Sequence, residues 1–203
     1  MINFLKDRIL LFVLILAGDY VSLAGLIKAE EIKANAITIA IAVSILPSLI
    51  ISLVIKFLFI PNVSKKNFII ISIIVAVLLW IGFVFSFLNF NTINNQYGKV
   101  RYPKNFSMDE PVDSIIVGGC NYTPEANNEV AHFKKMGRTL TSAQLFDDFN
   151  YDVSKIWDEN ERDCARTKIF ISFAWMLFFL ITGITLLCEI LILPDKSTFK
   201  TPG

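Results

Sequence analysis

The chain has 203 residues, 54% of them apolar and 18% charged, with a formal net charge of +1. That balance excludes an ordinary soluble globule of this length, and it excludes a global basic field that would draw nucleic acid. The apolar residues come in continuous runs, not in the alternating segments of about ten that build closed barrels, so they predict an α-helical membrane protein.

In chain order the runs predict four transmembrane helices at residues 9–27, 35–60, 67–90 and 169–193. A helix rises about 1.5 Å per residue, so roughly 20 residues cross a hydrocarbon core of about 30 Å. Pro61 and Pro194 close the second and fourth runs where the chain returns to water. The organisation expected is three spans in residues 1–90, a small, mainly helical extracytoplasmic domain in 91–167, and a fourth span with a cytoplasmic tail in 168–203. Lys6, Arg8, Lys65, Lys66, Lys196 and Lys200 all fall on one side of such a bundle, whereas the short loop Lys28–Ala34 balances its lysines with Glu30 and Glu31. Positive charge marks the cytoplasmic side, which puts both termini inside and the polar segment outside. The basic start of the first span also suits a cleaved signal peptide. Its long apolar run and the lack of a clear A-x-A site favour a retained helix.

Within the polar segment, residues 91–104 mix Asn, Gln, Gly and Lys and read as a linker. Val112–Val117 is a short β-like run closed by the turn signal Gly118-Gly119. Thr123-Pro124-Glu125 opens a helix with an N-cap, a first-turn proline and an acid at the positive dipole end, and Gly137 ends it. Thr141 to Gln144 matches a capping box for a second helix carrying Leu145, Phe146 and Phe149. A third helix starts after Ser154, and with no Gly or Pro between Lys155 and Thr182 it is expected to run into the last span.

Five groups of residues carry candidate chemistry. Cys120 and Cys164 both fall on the oxidising side, where closing such a loop stabilises a small domain by roughly 2–4 kcal/mol; the alternative is two buried free thiols. Cys188 reads as an apolar packing residue in the last span. Asp148, Asn150, Asp152, Ser154 and Glu159 occupy positions 1, 3, 5, 7 and 12 of a calcium-loop frame, but Val153 stands where the sharp turn needs Gly. The same residues also suit an Asx turn and a helix cap. Asp19, mid-span, costs at least about 2.5 kcal/mol as a charge; it reads as a buried polar link to Ser44, Ser48 or Ser52, or as an ion or proton site. Lys56 and Glu189 fall at matching depth near the inner face and suit an interhelical pair, with lipid snorkelling open to Lys56. The single His132 has no second histidine and no usable Cys pair, so no metal site is expected, and no phosphate-loop, dinucleotide or nucleophile-elbow fingerprint occurs. No cofactor and no enzymatic activity are expected.

The plan of spans with a large final outer loop resembles that of tetraspanins, but Gly118-Gly119-Cys120 with one partner replaces their Cys-Cys-Gly motif and further cysteine pairs, which removes the assignment. Tyr122-Thr123-Pro124-Glu125-Ala126, Leu145-Phe146-Asp147-Asp148-Phe149 and Lys155-Ile156-Trp157, within residues 122–170, resemble a stretch in multi-pass membrane modules of some bacterial signalling and defence proteins. The resemblance carries over no site. The expectation is a non-enzymatic bacterial inner-membrane protein whose partners are the bilayer and a protein bound or sensed by the outer cap, as in toxin immunity or phage defence. The alternative is a small transport or channel subunit built around Asp19.

Overall fold

In a computed structural model the described residues are 26–27, 29–55, 64–103, 113–138 and 142–191. They are mostly helical. In chain order they form α1 (Glu30–Val54), α2 (Lys65–Tyr97), β1 (Val100–Pro103), β2 (Asp113–Ile116), α3 (Pro124–Lys135), α4 (Ser142–Asp148), α5 (Val153–Ile156) and α6 (Glu159–Leu191). Among the described residues two helices, α2 and α6, are long and apolar enough to cross a membrane. The expected first span with Asp19, the inner end of the second with Lys56, and the tail after Leu191 lie outside the described residues. Glu189 falls within α6.

The chain divides into two compact units. The first takes its described residues from Ile37–Asn89 and Ser172–Gly203. Its core joins Ile55, Phe68, Ala76 and Leu186, with Ile51, Ile69, Leu79 and Ile190 packed around them. Gly82 lets α2 approach α6 closely: a Cβ there would stand 2.7 Å from the Phe179 ring. On its other faces α2 bares Ile70, Ile74, Leu78, Ile81, Val84 and Phe85, the last 70% exposed.

The second unit takes Leu23–Ala36 and Phe90–Ile171. β1 and β2 pair antiparallel, with Val100 opposite Ile116 and Pro103 opposite Asp113. Against the hairpin packs a core of Ala126, Leu145, Phe146, Ile156 and Trp157, ringed by Val100, Tyr102, Ile116, Val130, Phe149, Tyr151 and Val153. Tyr102 meets Phe146 edge-to-face at 5.3 Å, and Phe146 meets Trp157 at 5.9 Å. Such pairs add about 0.5–1.5 kcal/mol each beyond the area they bury.

Three boundaries differ from the sequence expectations, each for a physical reason. The loop expected over Lys28–Ala34 is largely helix, because α1 starts at Glu30 and two adjacent acids suit the positive end of its dipole. The expected linker 91–104 instead continues α2 to Tyr97 and then forms β1. Asn94 there is 2% exposed and donates from Nδ2 to the Leu26 carbonyl at 3.0 Å, so a polar side chain ties the helix to the 23–36 segment. The third cap helix is not continuous with the last span. A single turn, α5, ends at Trp157 in extended backbone (φ −136°, ψ 128°), and α6 then runs unbroken from Glu159.

Candidate functional site: a loop latched by a cysteine pair

The segment Val117–Thr123 joins β2 to α3 and docks along the end of α5 and the first turns of α6. Two glycines permit this. A Cβ on Gly119 would lie 2.5 Å from Trp157 Cδ1, and one on Gly118 3.5 Å from Trp157 Cζ2, so the backbone lies flat on the indole. Trp157 is 5% exposed, and Tyr122 stacks on it at 5.8 Å.

Backbone pairing then fixes the register. Cys120 N–H donates to the Glu161 carbonyl at 3.0 Å and Thr123 N–H to the Ile156 carbonyl at 3.0 Å. The Thr123 hydroxyl donates to the Lys155 carbonyl and accepts from Ala126 N–H at 3.3 Å, so it ties α3 to α5 and caps α3 at once. Pro124 follows in the first turn, and Gly137, at φ +70°, follows the helix end as the sequence predicts.

The docked loop brings Cys120 beside Cys164 at disulfide distance, with Cα atoms 6.1 Å apart. The Glu161 carboxylate completes a cluster whose ligand atoms all lie within 4.8 Å of one another. Its Oε2 accepts from both Asn121 N–H and Asn121 Nδ2, each at 3.0 Å. Two thiolates and a carboxylate are a donor set for a thiophilic divalent ion. Joined sulfurs leave no thiolate to ligate.

Of the calcium frame, Asp152, Ser154 and Glu159 serve other partners. Asn150 and Tyr151 adopt left-handed backbone (φ 51° and 59°), and Tyr151 N–H donates to the Phe146 carbonyl at 2.7 Å, which closes α4. Asp152 caps α5, accepting from Ser154 N–H at 3.0 Å and from the Ser154 hydroxyl at 2.6 Å. That hydroxyl first, with smaller help from the Ser154 N–H and Lys155, holds the Asp152 carboxyl below its ordinary value against a partial desolvation. Burial, then the nearby Asp147 carboxylate, push the Tyr151 phenol up. Glu159 accepts from Arg166 at 2.6 Å and from Arg162 at 3.2 Å, and Arg166 also reaches Asp163 at 2.6 Å. His132 is exposed on α3, edge-on to Phe133 at 6.4 Å.

Sequence reasoning singled out the two cysteines but not Glu161 or Asn121, and it named Trp157 only within a resemblance that carries over no site. The adjacent glycines before Cys120 were the available signal, since paired glycines mark a backbone that something else approaches closely. Scans against family models, curated proteins and solved structures each return no match.

Proposed function

We propose that this chain is a non-enzymatic, multi-pass protein of the bacterial inner membrane, with four spans, both termini cytoplasmic, and an extracytoplasmic cap that binds or senses a protein partner. The observation that carries the membrane reading is the bareness of α2. Large apolar side chains stand exposed at successive positions such as Ile73, Ile74, Val75, Val77 and Leu78, hence over more than half of the helix circumference, away from the face that carries the buried Phe68, Ser72 and Ala76. Water would penalise that surface at about 25 cal/mol per Å², whereas acyl chains do not. Each of α2 and α6 has 33 residues. At about 1.5 Å per residue that is roughly 50 Å, longer than a hydrocarbon core of about 30 Å, and both helices carry polar sequence at the end nearest the cap residues.

For the cap, what supports binding rather than catalysis is the use of its polar groups. Asp152, Glu159, Glu161 and Thr123 are engaged in caps, ion pairs and loop docking, leaving no nucleophile beside a base among these residues. The test is rescue of a knockout strain. The full chain restores the phenotype and stays in the membrane pellet after alkaline carbonate. A chain with residues 113–163 replaced by a Gly/Ser linker stays in the pellet and does not restore it. Full rescue by that chain removes the binding reading, and release of the full chain into the supernatant removes the membrane reading.

A further inference from the structure

The sulfurs of Cys120 and Cys164 come from elements that other contacts hold together. Cys164 follows Glu161 by three residues on α6, so both side chains rise from one face of that helix. Cys120 arrives on the docked loop, where its own N–H donates to the Glu161 carbonyl at 3.0 Å and the neighbouring Asn121 N–H to the Glu161 carboxylate at 3.0 Å. Gly119 on the Trp157 ring and Thr123 N–H on the Ile156 carbonyl fix the same loop from both sides. None of these contacts passes through the bond between the sulfurs. Opening that bond therefore leaves Cys120, Glu161 and Cys164 side by side, all half-buried. Both hydrogen bonds to the carboxylate fall on Oε2, and Oε1 accepts none among the described residues.

A reduced pair in that setting has a use that a disulfide does not. Two thiolates beside a carboxylate repel one another, and a divalent cation between them removes the repulsion. Zinc takes sulfur at about 2.3 Å and carboxylate oxygen at about 2.0–2.2 Å in a tetrahedron, which sets the sulfurs about 3.8 Å apart. With the Cα atoms 6.1 Å apart, rotation about the two Cα–Cβ bonds supplies that separation, and a Glu161 carboxylate oxygen already lies within 4.8 Å of both sulfurs. We infer that the opened Cys120–Cys164 pair and the Glu161 carboxylate bind one thiophilic divalent cation of the zinc class, with water in the fourth position. The step balances with a dithiol as reductant. One of its thiolates attacks a sulfur of the pair and the other resolves the mixed disulfide, so two electrons and two protons pass to the cysteines and the dithiol leaves oxidised. Ion binding then releases the two thiol protons. The 44 residues that separate the cysteines conceal the site from a scan for closely spaced ligands. The inference stands apart from the membrane reading, since every residue in it belongs to the cap.

The experiment takes the full chain in detergent micelles, with Cys188→Ala so that two thiols remain, reduces it with a dithiol and removes the reductant under nitrogen. Cadmium, a spectroscopic stand-in for zinc, is then titrated in while thiolate-to-metal charge-transfer absorption is followed. One cadmium per chain should bind, and the air-oxidised chain should bind none. Glu161→Gln keeps an oxygen for Asn121 and should weaken binding by roughly 10–100-fold, the range that loss of even a ligand's supporting partner produces. Asp158→Asn removes a nearby exposed carboxylate and should leave the affinity unchanged. Absence of binding to the reduced parent chain overturns the inference. So does equal affinity in the parent and Glu161→Gln, or binding that survives Cys164→Ser undiminished. Should Glu161→Gln fail to fold, shown by loss of its disulfide in air, the parent chain decides: one equivalent of zinc must slow maleimide labelling of both Cys120 and Cys164, and a chelator must restore it. Labelling indifferent to zinc overturns the inference.

Discussion

Trp157 sits where three demands meet. Its indole fills the cap core, its backbone breaks the helix between α5 and α6, and its ring face supports Gly119. Gly119→Ala places a methyl carbon 2.5 Å from Cδ1 of a side chain that has no room to retreat. Overpacking of this kind costs about 1–3 kcal/mol, so thermal melting of the purified protein should drop by several degrees, while a conservative change at the exposed Met136 leaves it unmoved. Asp152 gives a second prediction, with a sign fixed by chemistry. Its folded-state pKa is depressed below the ordinary 3.8, so its contribution is present above that pH and is lost as pH falls through the lower folded value. Asp152→Asn should therefore melt below wild type at neutral pH, and the gap should close under acid. A gap that does not narrow at all as the pH is lowered from neutral through the ordinary carboxylate value and below it would show that the capping hydrogen bonds act independently of charge.

At the level of elements, the cap was legible wherever a local signal governs local structure. Thr123-Pro124 and Gly137 delimit α3, and the β-like run Val112–Val117, closed by Gly118-Gly119, contains β2. Two features were hidden because tertiary contacts decide them. Asn91–Tyr97 has the composition of a linker, yet burial of Asn94 against the Leu26 carbonyl keeps it helical. Nothing in Lys155–Glu161 forbids a continuous helix; the break follows from the pull of Trp157 into the core. The candidate site was half legible, since Cys120 and Cys164 can be chosen by elimination while Glu161 and Asn121 become neighbours only once the loop is docked. The cysteine pair closes a separation of 44 residues that contains the whole of α3, α4 and α5. The chain-entropy relation gives such a loop about 4 kcal/mol. Cys164→Ser should lower cap stability by about 2–4 kcal/mol in denaturant melts, and wild type under dithiothreitol should fall to the same midpoint. A reductant effect in the variant itself would place the stabilisation elsewhere.

For the whole molecule, compartment and covalent state are one question, and a single labelling experiment asks it. The proposed orientation has Lys66 inside and the polar segment 91–167 outside. Both Lys66 and Lys135 have exposed side chains, so a cysteine at either position is accessible to a maleimide on its own side of the membrane. With Cys188 changed to Ala, Lys135→Cys should react with a membrane-impermeant maleimide in intact cells, whereas Lys66→Cys should react only after permeabilisation. Cys120 and Cys164 should stay unlabelled until a reductant is added, because the bacterial periplasm keeps such pairs oxidised. The inverted pattern would put the cap in a reducing cytosol and predicts that both native cysteines label without reductant. The two readouts constrain each other: an outward cap with free thiols, or an inward cap with protected ones, contradicts the chemistry of its compartment. Either mixed result would separate the loop's docking, held by Gly119, Glu161 and Thr123, from the bond between the sulfurs, and would leave hydrogen bonding and the Trp157 platform as what holds the cap closed.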